Sequence, residues 1–271
     1  MKSAGAVRVG SGAGTSDDRM VPALELAERG DIDYLVFECL AERTVSRENL
    51  SRSKNPDQGY SPSLHARLRL VLPTCIKKGI RIVSNMGAAH PLGGARAARK
   101  EAADLGLGDV AVAVVLGDDV SSIVKHRSEL RLIENGEPLE SILPNMISAN
   151  AYLGADVVCE ALDTGAPIVI TGRVADPSLF LAPMMYEFGW SDITPDCVLD
   201  ISGIALTQQG ADRVRVEGAK ARPRTDTYKV NVGYADGYIG EGGGGVTVSL
   251  AQDIHGKSLS NVMLAIELPD P

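Results

Sequence analysis

Short apolar runs that end in glycine or small polar residues recur five times in the first two-thirds of the chain. The runs lie at 7–9, 34–37, 80–83, 110–116 and 168–170. Helical patterns separate them, and alternating strands and helices favour βαβ units with right-handed crossovers. We therefore expect an α/β fold over residues 1–190, with an open parallel sheet and flanking helices.

Apolar residues at helical spacing predict the helices of this first region. The predicted helices cover 18–29, a segment that begins at Ser61, 92–105, 146–163 and 177–188. Pro73 lies inside the second of these patterns. Because proline lacks the backbone N–H that a helix interior needs, we expect that helix to kink or end early at Pro73.

The pattern changes after Trp190 to short β-like runs separated by turns. These runs lie at 197–201, 213–216, 228–232 and 246–250. The sequence between them holds no long amphipathic helical pattern, and 258–265 fits either a helix or a strand. We therefore expect a smaller, mainly antiparallel β region over residues 191–271.

Composition excludes several classes of function. Hydrophobic residues make up 44% of the chain, which suffices for a buried core, and the formal net charge is −8. With no basic stripe, nucleic-acid binding is disfavoured, and no apolar run approaches the roughly 20 residues of a membrane span. The four cysteines form no CxxC pair, which argues against a zinc ribbon. A reduced cytoplasmic compartment and a homo-oligomer are expected.

Parallel α/β sheets bind ligands beyond the carboxyl ends of their strands. Glu38 follows the second run, where a partly desolvated carboxylate can act as a general base. Cys39 has no histidine nearby in sequence, so we interpret it as a small buried residue. Glu42 and Arg43 can form an ion pair with no catalytic role.

Two further strand ends carry polar groups. Asn85 can donate to a developing oxyanion, or it can serve as a turn residue. Asp118 can move a proton, and together with Asp119 it can bind Mg²⁺ through oxygen ligands. The two acids can equally cap the next helix. His90 is a weaker acid/base candidate near the third strand end.

The fifth strand end and the glycine-rich turns supply candidates for binding an anionic substrate. Arg173 is suited to a carboxylate or phosphate, with Asp176 beside it; alternatively, the two form a pair that shapes the loop. Gly12, within the glycine run 10–14, and Gly87 let a ligand approach the backbone. The run reads G-x-G-x-G, which is not the dinucleotide pattern G-x-G-x-x-G, and a tight packed turn is the alternative.

Several stretches resemble the acyclic terpene utilisation protein A family. They are VGSGAG at 9–14, LAERGDIDYLVFECLAERT at 26–44, IVSNMGAA at 82–89, GDDV at 117–120 and ITGRVADPS at 170–178, followed by shorter matches at 213–216, 218–219, 222–224, 232–234 and 236–241. The resemblance spans most of the chain, and the block around Glu38 is the most specific part. Members of this family are longer, so we hypothesise a chain shortened at 190–195 and 240–246.

The resemblance implies a role in the degradation of branched isoprenoid acids as coenzyme A thioesters. We expect a lyase or hydro-lyase acting on an acyl-CoA or related carboxylic acid, with coenzyme A as part of the substrate. No resident cofactor is firmly implied, and Mg²⁺ stays an option. The alternative is a non-catalytic binding or assembly subunit of a catabolic complex.

Overall fold

A computed structural model describes residues 7–133 and 135–189 in full, and the backbone of strand segments between 197 and 267. The strands of the first part are β1 (Val9–Ala13), β2 (Tyr34–Phe37), β3 (Arg81–Ser84), β4 (Val112–Val115), β5 (Met146–Ala151) and β6 (Ile168–Thr171). Five of them form one parallel sheet in the order β1-β2-β3-β6-β4. The α/β fold with an open parallel sheet is therefore confirmed.

Helices cover both faces of this sheet. They are α1 (Val21–Arg29), α2 (Glu42–Lys54), α3 (Leu64–Lys78), α4 (Pro91–Asp104), α5 (Ser121–Val124), α6 (Ala155–Asp163) and α7 (Ser178–Phe188), with short 3-10 turns at Leu139–Ser141 and Leu143–Asn145. Strand side chains alternate between faces. Leu35 and Ile82 accordingly pack in the core with α1, α3 and α4, whereas Val36 and Val83 pack with α6 and α7.

The strand order creates a switch point between β3 and β6. The chain leaves β3 for α4 on one face of the sheet and leaves β6 for α7 on the other face. Two neighbouring strands whose following connections diverge in this way open a crevice beyond their carboxyl ends, where ligands bind in α/β folds. The loops that begin at Asn85 and Gly172 follow these two strands.

Two of the predicted elements need correction, and one helix was missed. The segment 146–163 is not one helix, because Met146–Ala151 forms β5 and only Ala155–Asp163 is helical. The helix around Pro73 does not end early, since α3 continues to Lys78, while the expected kink stays a prediction. Helix α2 was not predicted at all, because its sequence is too polar to show an apolar stripe.

Strand segments continue after residue 196. They are β7 (Cys197–Asp200), β8 (Ala205–Gln208), β9 (Val214–Glu217), β10 (Lys220–Pro223), β11 (Thr227–Ala235), β12 (Glu241–Gly242), β13 (Val246–Thr247), β14 (Ala251–Gln252) and β15 (Ser258–Glu267). The boundary at 190–191 and the mainly antiparallel character of the second region stay predictions. The hypothesis of shortening at 190–195 and 240–246 falls mostly outside the described residues. Within the described part of the chain, we find no helix with the length and apolar character needed to span a bilayer.

Candidate active site

The ends of β2 and β3 are joined by side-chain hydrogen bonds between Glu38 and Asn85. Asn85 is fully buried, and its Nδ2 donates to Glu38 Oε1 over 2.9 Å. The backbone N–H of Leu40 donates to the same oxygen over 3.0 Å. Asn85 Oδ1 in turn accepts from the N–H of Cys39 at 2.7 Å, which fixes the amide orientation. Both hydrogen bonds to Glu38 thus fall on one oxygen, and no described donor contacts Oε2.

The environment of Glu38 favours its protonated form more than water does. Burial is the main cause that raises the pKa of Glu38 above its ordinary value, and the nearby charge of Asp176 adds to the rise. The amide of Asn85 and the charge of Arg173 act in the opposite direction. A carboxyl group whose pKa is raised toward neutrality is better matched to proton transfer than an ordinary surface glutamate.

Asp118, at the end of β4, is buried directly against the end of β6. Its Oδ2 accepts from the backbone N–H of Arg173 at 2.8 Å and from Asn150 Nδ2 at 3.0 Å. A Cβ on Gly172 would lie 2.6 Å from both carboxylate oxygens, so only glycine lets the two loops approach this closely. Burial raises the pKa of Asp118. Asp118 therefore ties β4, β5 and β6 together at their ends.

Arg173 is the central cation of the site and is only 1% exposed. Its Nη1 donates to Asp176 Oδ1 over 2.7 Å and also to the carbonyl of Leu40, while Nη2 donates to Glu42 Oε1 over 3.0 Å. The guanidinium lies 4.0 Å from the centre of the Tyr152 ring, a cation–π distance. Its Nε is buried without a hydrogen-bond partner among the described residues.

The structure therefore brings Glu38, Asn85, Asp118, Arg173 and Asp176 to one edge of the sheet. Four groups that sequence reasoning did not assign to the site complete it: Glu42 and Asn49 from α2, Asn150 from β5, and Tyr152. The Tyr152 hydroxyl donates to Glu42, and Asn49 Nδ2 donates to Asn150 Oδ1 over 2.9 Å. Glu42 was considered only as a partner of Arg43, and the other three lay in segments with no strand-end signal.

The glycine-rich run at 10–14 differs from the predicted loop. Gly10 and Gly12 lie inside β1, and a Cβ on Gly12 would lie 2.6 Å from the buried ring of Phe37. The N–H groups of Gly14 and Thr15 donate to the carboxylate of Asp18 at 2.7 and 3.0 Å. The chain thus places its own carboxylate at the position predicted for a bound anion.

Gly87 and the remaining candidates also have structural partners. A Cβ on Gly87 would lie 2.5 Å from the carbonyl oxygen of Thr171, which explains glycine there by close packing of two loops. Asp119 is exposed and accepts from the N–H of Ser121 at 3.1 Å, whereas Asp118 contacts Asn150 and Arg173. Burial raises the pKa of the Cys39 thiol to about 12, which disfavours a thiolate nucleophile.

Asp118 and Asp119 are the predicted Mg²⁺ ligands. Among the residues that the structure describes, no group of three or more His, Cys, Asp or Glu side chains is arranged to hold a metal ion. One carboxylate oxygen of Asp118 accepts two N–H hydrogen bonds, and Asp119 accepts one from Ser121 in α5.

Comparison with known proteins identifies the family. The model of the acyclic terpene utilisation family protein AtuA matches residues 7–194 and 191–253. Searches of curated proteins and of solved structures found no significant match. The matched ranges contain every strand end of the site and cover far more than half of the sequence. The chain therefore belongs to the acyclic terpene utilisation (AtuA) family, as its resemblance implied.

Proposed function

We propose that this protein is a catabolic enzyme of branched or isoprenoid acid degradation, a lyase or hydro-lyase acting on an acyl-CoA or related carboxylic acid. The family supports the general role in acyclic terpene utilisation. The catalytic role rests on the environment of the Glu38 carboxyl group. Its carboxyl group is half-buried, has a raised pKa, and is held through Oε1 alone.

In this proposal, Glu38 Oε2 takes a proton from the substrate. In a hydro-lyase reaction the proton comes from the carbon next to the thioester carbonyl, and Glu38 returns it to the hydroxyl group on the next carbon, which leaves as water. Asn85 positions Glu38 with one N–H of its amide. Because a primary amide carries two N–H bonds, the second is left to stabilise the developing oxyanion.

Arg173 is proposed to bind the substrate's carboxylate by exchanging a partner. Asp176 is 49% exposed, whereas Glu42 is only 20% exposed. Asp176 is therefore the partner that a substrate carboxylate can replace at lower cost. Such a replacement keeps the bidentate geometry for which a guanidinium is suited. It also moves the charge of Asp176 away from Glu38, whose pKa that charge raises.

The substitution Glu38→Gln tests the catalytic role. Purified protein is incubated in D₂O with branched 3-hydroxyacyl-CoA and 2,3-unsaturated acyl-CoA thioesters, and mass spectrometry follows turnover and deuterium uptake. Removing the general base should slow both by roughly 10²- to 10⁴-fold. Glu25→Gln, on the exposed side of α1, is the matched control and should leave the rates unchanged. Equal rates for the two variants would contradict the role of Glu38.

A non-catalytic binding or assembly subunit is the second candidate. It is favoured by the full pairing of the Arg173 terminal nitrogens with Glu42, Asp176 and the carbonyl of Leu40. It is also favoured because no described imidazole hydrogen-bonds to Glu38. Tight binding of the thioesters by wild-type protein, without turnover or deuterium uptake, would support this candidate over the enzyme.

A further inference from the structure

A second polar group lies near the active site and has no role in the proposed reaction. We call Arg52, His90 and Arg96 the basic cluster. Arg96 Nη2 donates to His90 Nε2 over 3.0 Å, and Arg52 Nη1 donates to the carbonyl of Ala89, the residue before His90. His90 is the N-cap residue of α4, so both guanidinium groups lie at the start of this 14-residue helix.

The basic cluster is held in place by close packing. A Cβ on Gly59 would lie 2.8 Å from Cβ of Arg52, so the loop before α3 lies directly on the arginine stem. A Cβ on Gly93 would lie 2.2 Å from Cδ2 of His90, so the buried imidazole lies against the first turn of α4. The positions of Arg52 and His90 are therefore fixed by the backbone around them.

The charges of this cluster are not balanced within the described part of the chain. Neither Arg52, which is half-buried, nor Arg96, which is exposed, has a carboxylate within ion-pair distance there. Because Arg96 donates to Nε2, the His90 imidazole is neutral and accepts this hydrogen bond. It therefore does not offset the positive charges of Arg52 and Arg96. Among the described acids, Asp57 is the one whose charge acts on His90. Two guanidinium groups and a helix N-terminus thus present net positive charge at one place.

The loop between β3 and α4 connects this cluster to the active site. Asn85 and His90 are five residues apart, and the chain between them makes two tight turns, Ala88 N–H to Asn85 O at 3.1 Å and His90 N–H to Gly87 O at 2.8 Å. An extended chain of five residues spans at most about 17 Å, and turns shorten that distance. One extended ligand can therefore reach both places.

We propose that Arg52, Arg96 and the first turn of α4 bind a phosphate group. Guanidinium groups recognise phosphate oxygens through charge-assisted hydrogen bonds, and a helix N-terminus favours the same negative charge. This inference rests on the proposed function for its ligand, because the phosphates of an acyl-CoA substrate lie in its coenzyme A part. The thioester end then lies at Glu38 and a phosphate end lies at the basic cluster.

Calorimetric titration of the full chain with coenzyme A tests this proposal. Arg52→Gln and Arg96→Gln should each weaken coenzyme A binding roughly tenfold or more, as expected for loss of a charge-assisted hydrogen bond. Arg99→Gln is the matched control, because Arg99 lies on the same helix and is paired with Asp109 at 2.7 Å. Asp57→Asn should tighten binding, since it removes an acid whose negative charge reaches His90.

Three further ligands identify the source of the phosphate. Pantetheine, which lacks phosphate, should bind all variants equally; 3′-dephospho-coenzyme A and inorganic phosphate show which phosphate the cluster takes. The proposal is overturned if Arg52→Gln and Arg96→Gln bind coenzyme A as tightly as Arg99→Gln, or if phosphate binds and coenzyme A does not. Glu38→Gln should still bind coenzyme A, so loss of turnover in that variant tests the proposed function separately.

Discussion

Gly12 and Gly14 lie two residues apart at the end of β1 but have different surroundings. A Cβ on Gly12 would lie 2.6 Å from the Phe37 ring, which is fully buried, whereas a Cβ on Gly14 would meet its nearest neighbour at 3.8 Å. We expect Gly12→Ala to lower the free energy of unfolding by about 1–3 kcal/mol through overpacking. Gly14→Ala should have an effect near zero in the same urea titration.

This pair also separates two roles for the glycine run. If Gly12 served mainly to admit a ligand, its alanine variant would keep its stability and lose binding. A stable Gly12→Ala variant would therefore contradict the packing role. The structure favours packing, because the N–H groups that follow the run are already bound to Asp18.

Single residues at strand ends could be predicted because their signal, an apolar run followed by a polar residue, lies within a few residues of sequence. Glu38, Asn85, Asp118 and Arg173 were found in this way, and the structure places them together. Their partners could not be found by the same reasoning. Tyr152 and Asn150 contact the site only because β5 leaves the expected helical path, and no local pattern in 146–163 signals that departure.

At the scale of single elements, α3 shows how tertiary packing overrides local preference. Pro73 lies in the middle of this helix and is exposed, while Leu68, Val71, Leu72 and Cys75 on the other side are buried. The apolar stripe keeps the helix continuous in spite of the missing N–H. Burial of that stripe against the sheet thus outweighs the local cost of proline.

Pro73→Ala should therefore stabilise the protein. Alanine restores the backbone hydrogen bond and has the highest helix propensity, so we expect a gain of about 1–3 kcal/mol in the free energy of unfolding. Ala66→Gly, at another exposed position of α3, is the calibration and should lower it by about 0.5–1 kcal/mol. An unchanged or lower stability of Pro73→Ala would show that the native backbone at this turn requires proline.

Helix α2 illustrates the opposite limit of sequence reasoning. Its residues are mostly polar, with Val45 as its one buried aliphatic side chain, so it shows no hydrophobic period. Nevertheless this helix supplies Glu42 to Arg173 and Arg52 to the basic cluster. An element whose buried face is made of polar contacts is invisible to hydrophobic periodicity, although it carries part of the candidate site.

On the scale of the whole molecule, the sheet order explains why the polar groups converge. The reversal at β6 sends the connections after β3 and β6 to opposite faces of the sheet, while the two loops stay in close contact at Gly87 and Thr171. Asp118 from the edge strand β4 then reaches across β6 to the backbone of Arg173. Alternation of strands and helices in the sequence predicts a parallel sheet, but it does not predict the order of the strands in that sheet.

Convergence of acids at one edge has a consequence for stability against pH. The folded state raises the pKa of Asp118, mainly through burial, so this group binds its proton more tightly in the folded than in the unfolded chain. Its contribution to the free energy of unfolding must then fall as pH rises above the ordinary aspartate pKa of about 3.9. Asp118→Asn cannot ionise, yet its side-chain oxygen can still accept from Arg173 and Asn150.

The stability of Asp118→Asn relative to wild type should therefore increase as pH rises from about 4 toward neutrality. Asp104→Asn is the matched control with the opposite sign, because the hydrogen bond from Lys100 lowers the pKa of Asp104. Its stability relative to wild type should decrease as pH rises from about 2 to about 4 and should stay nearly level above that. Urea unfolding at a series of pH values measures both differences. If Asp118→Asn shows no increase in stability relative to wild type above pH 4, burial does not destabilise the carboxylate of Asp118. Another group at this edge of the sheet must then balance its negative charge.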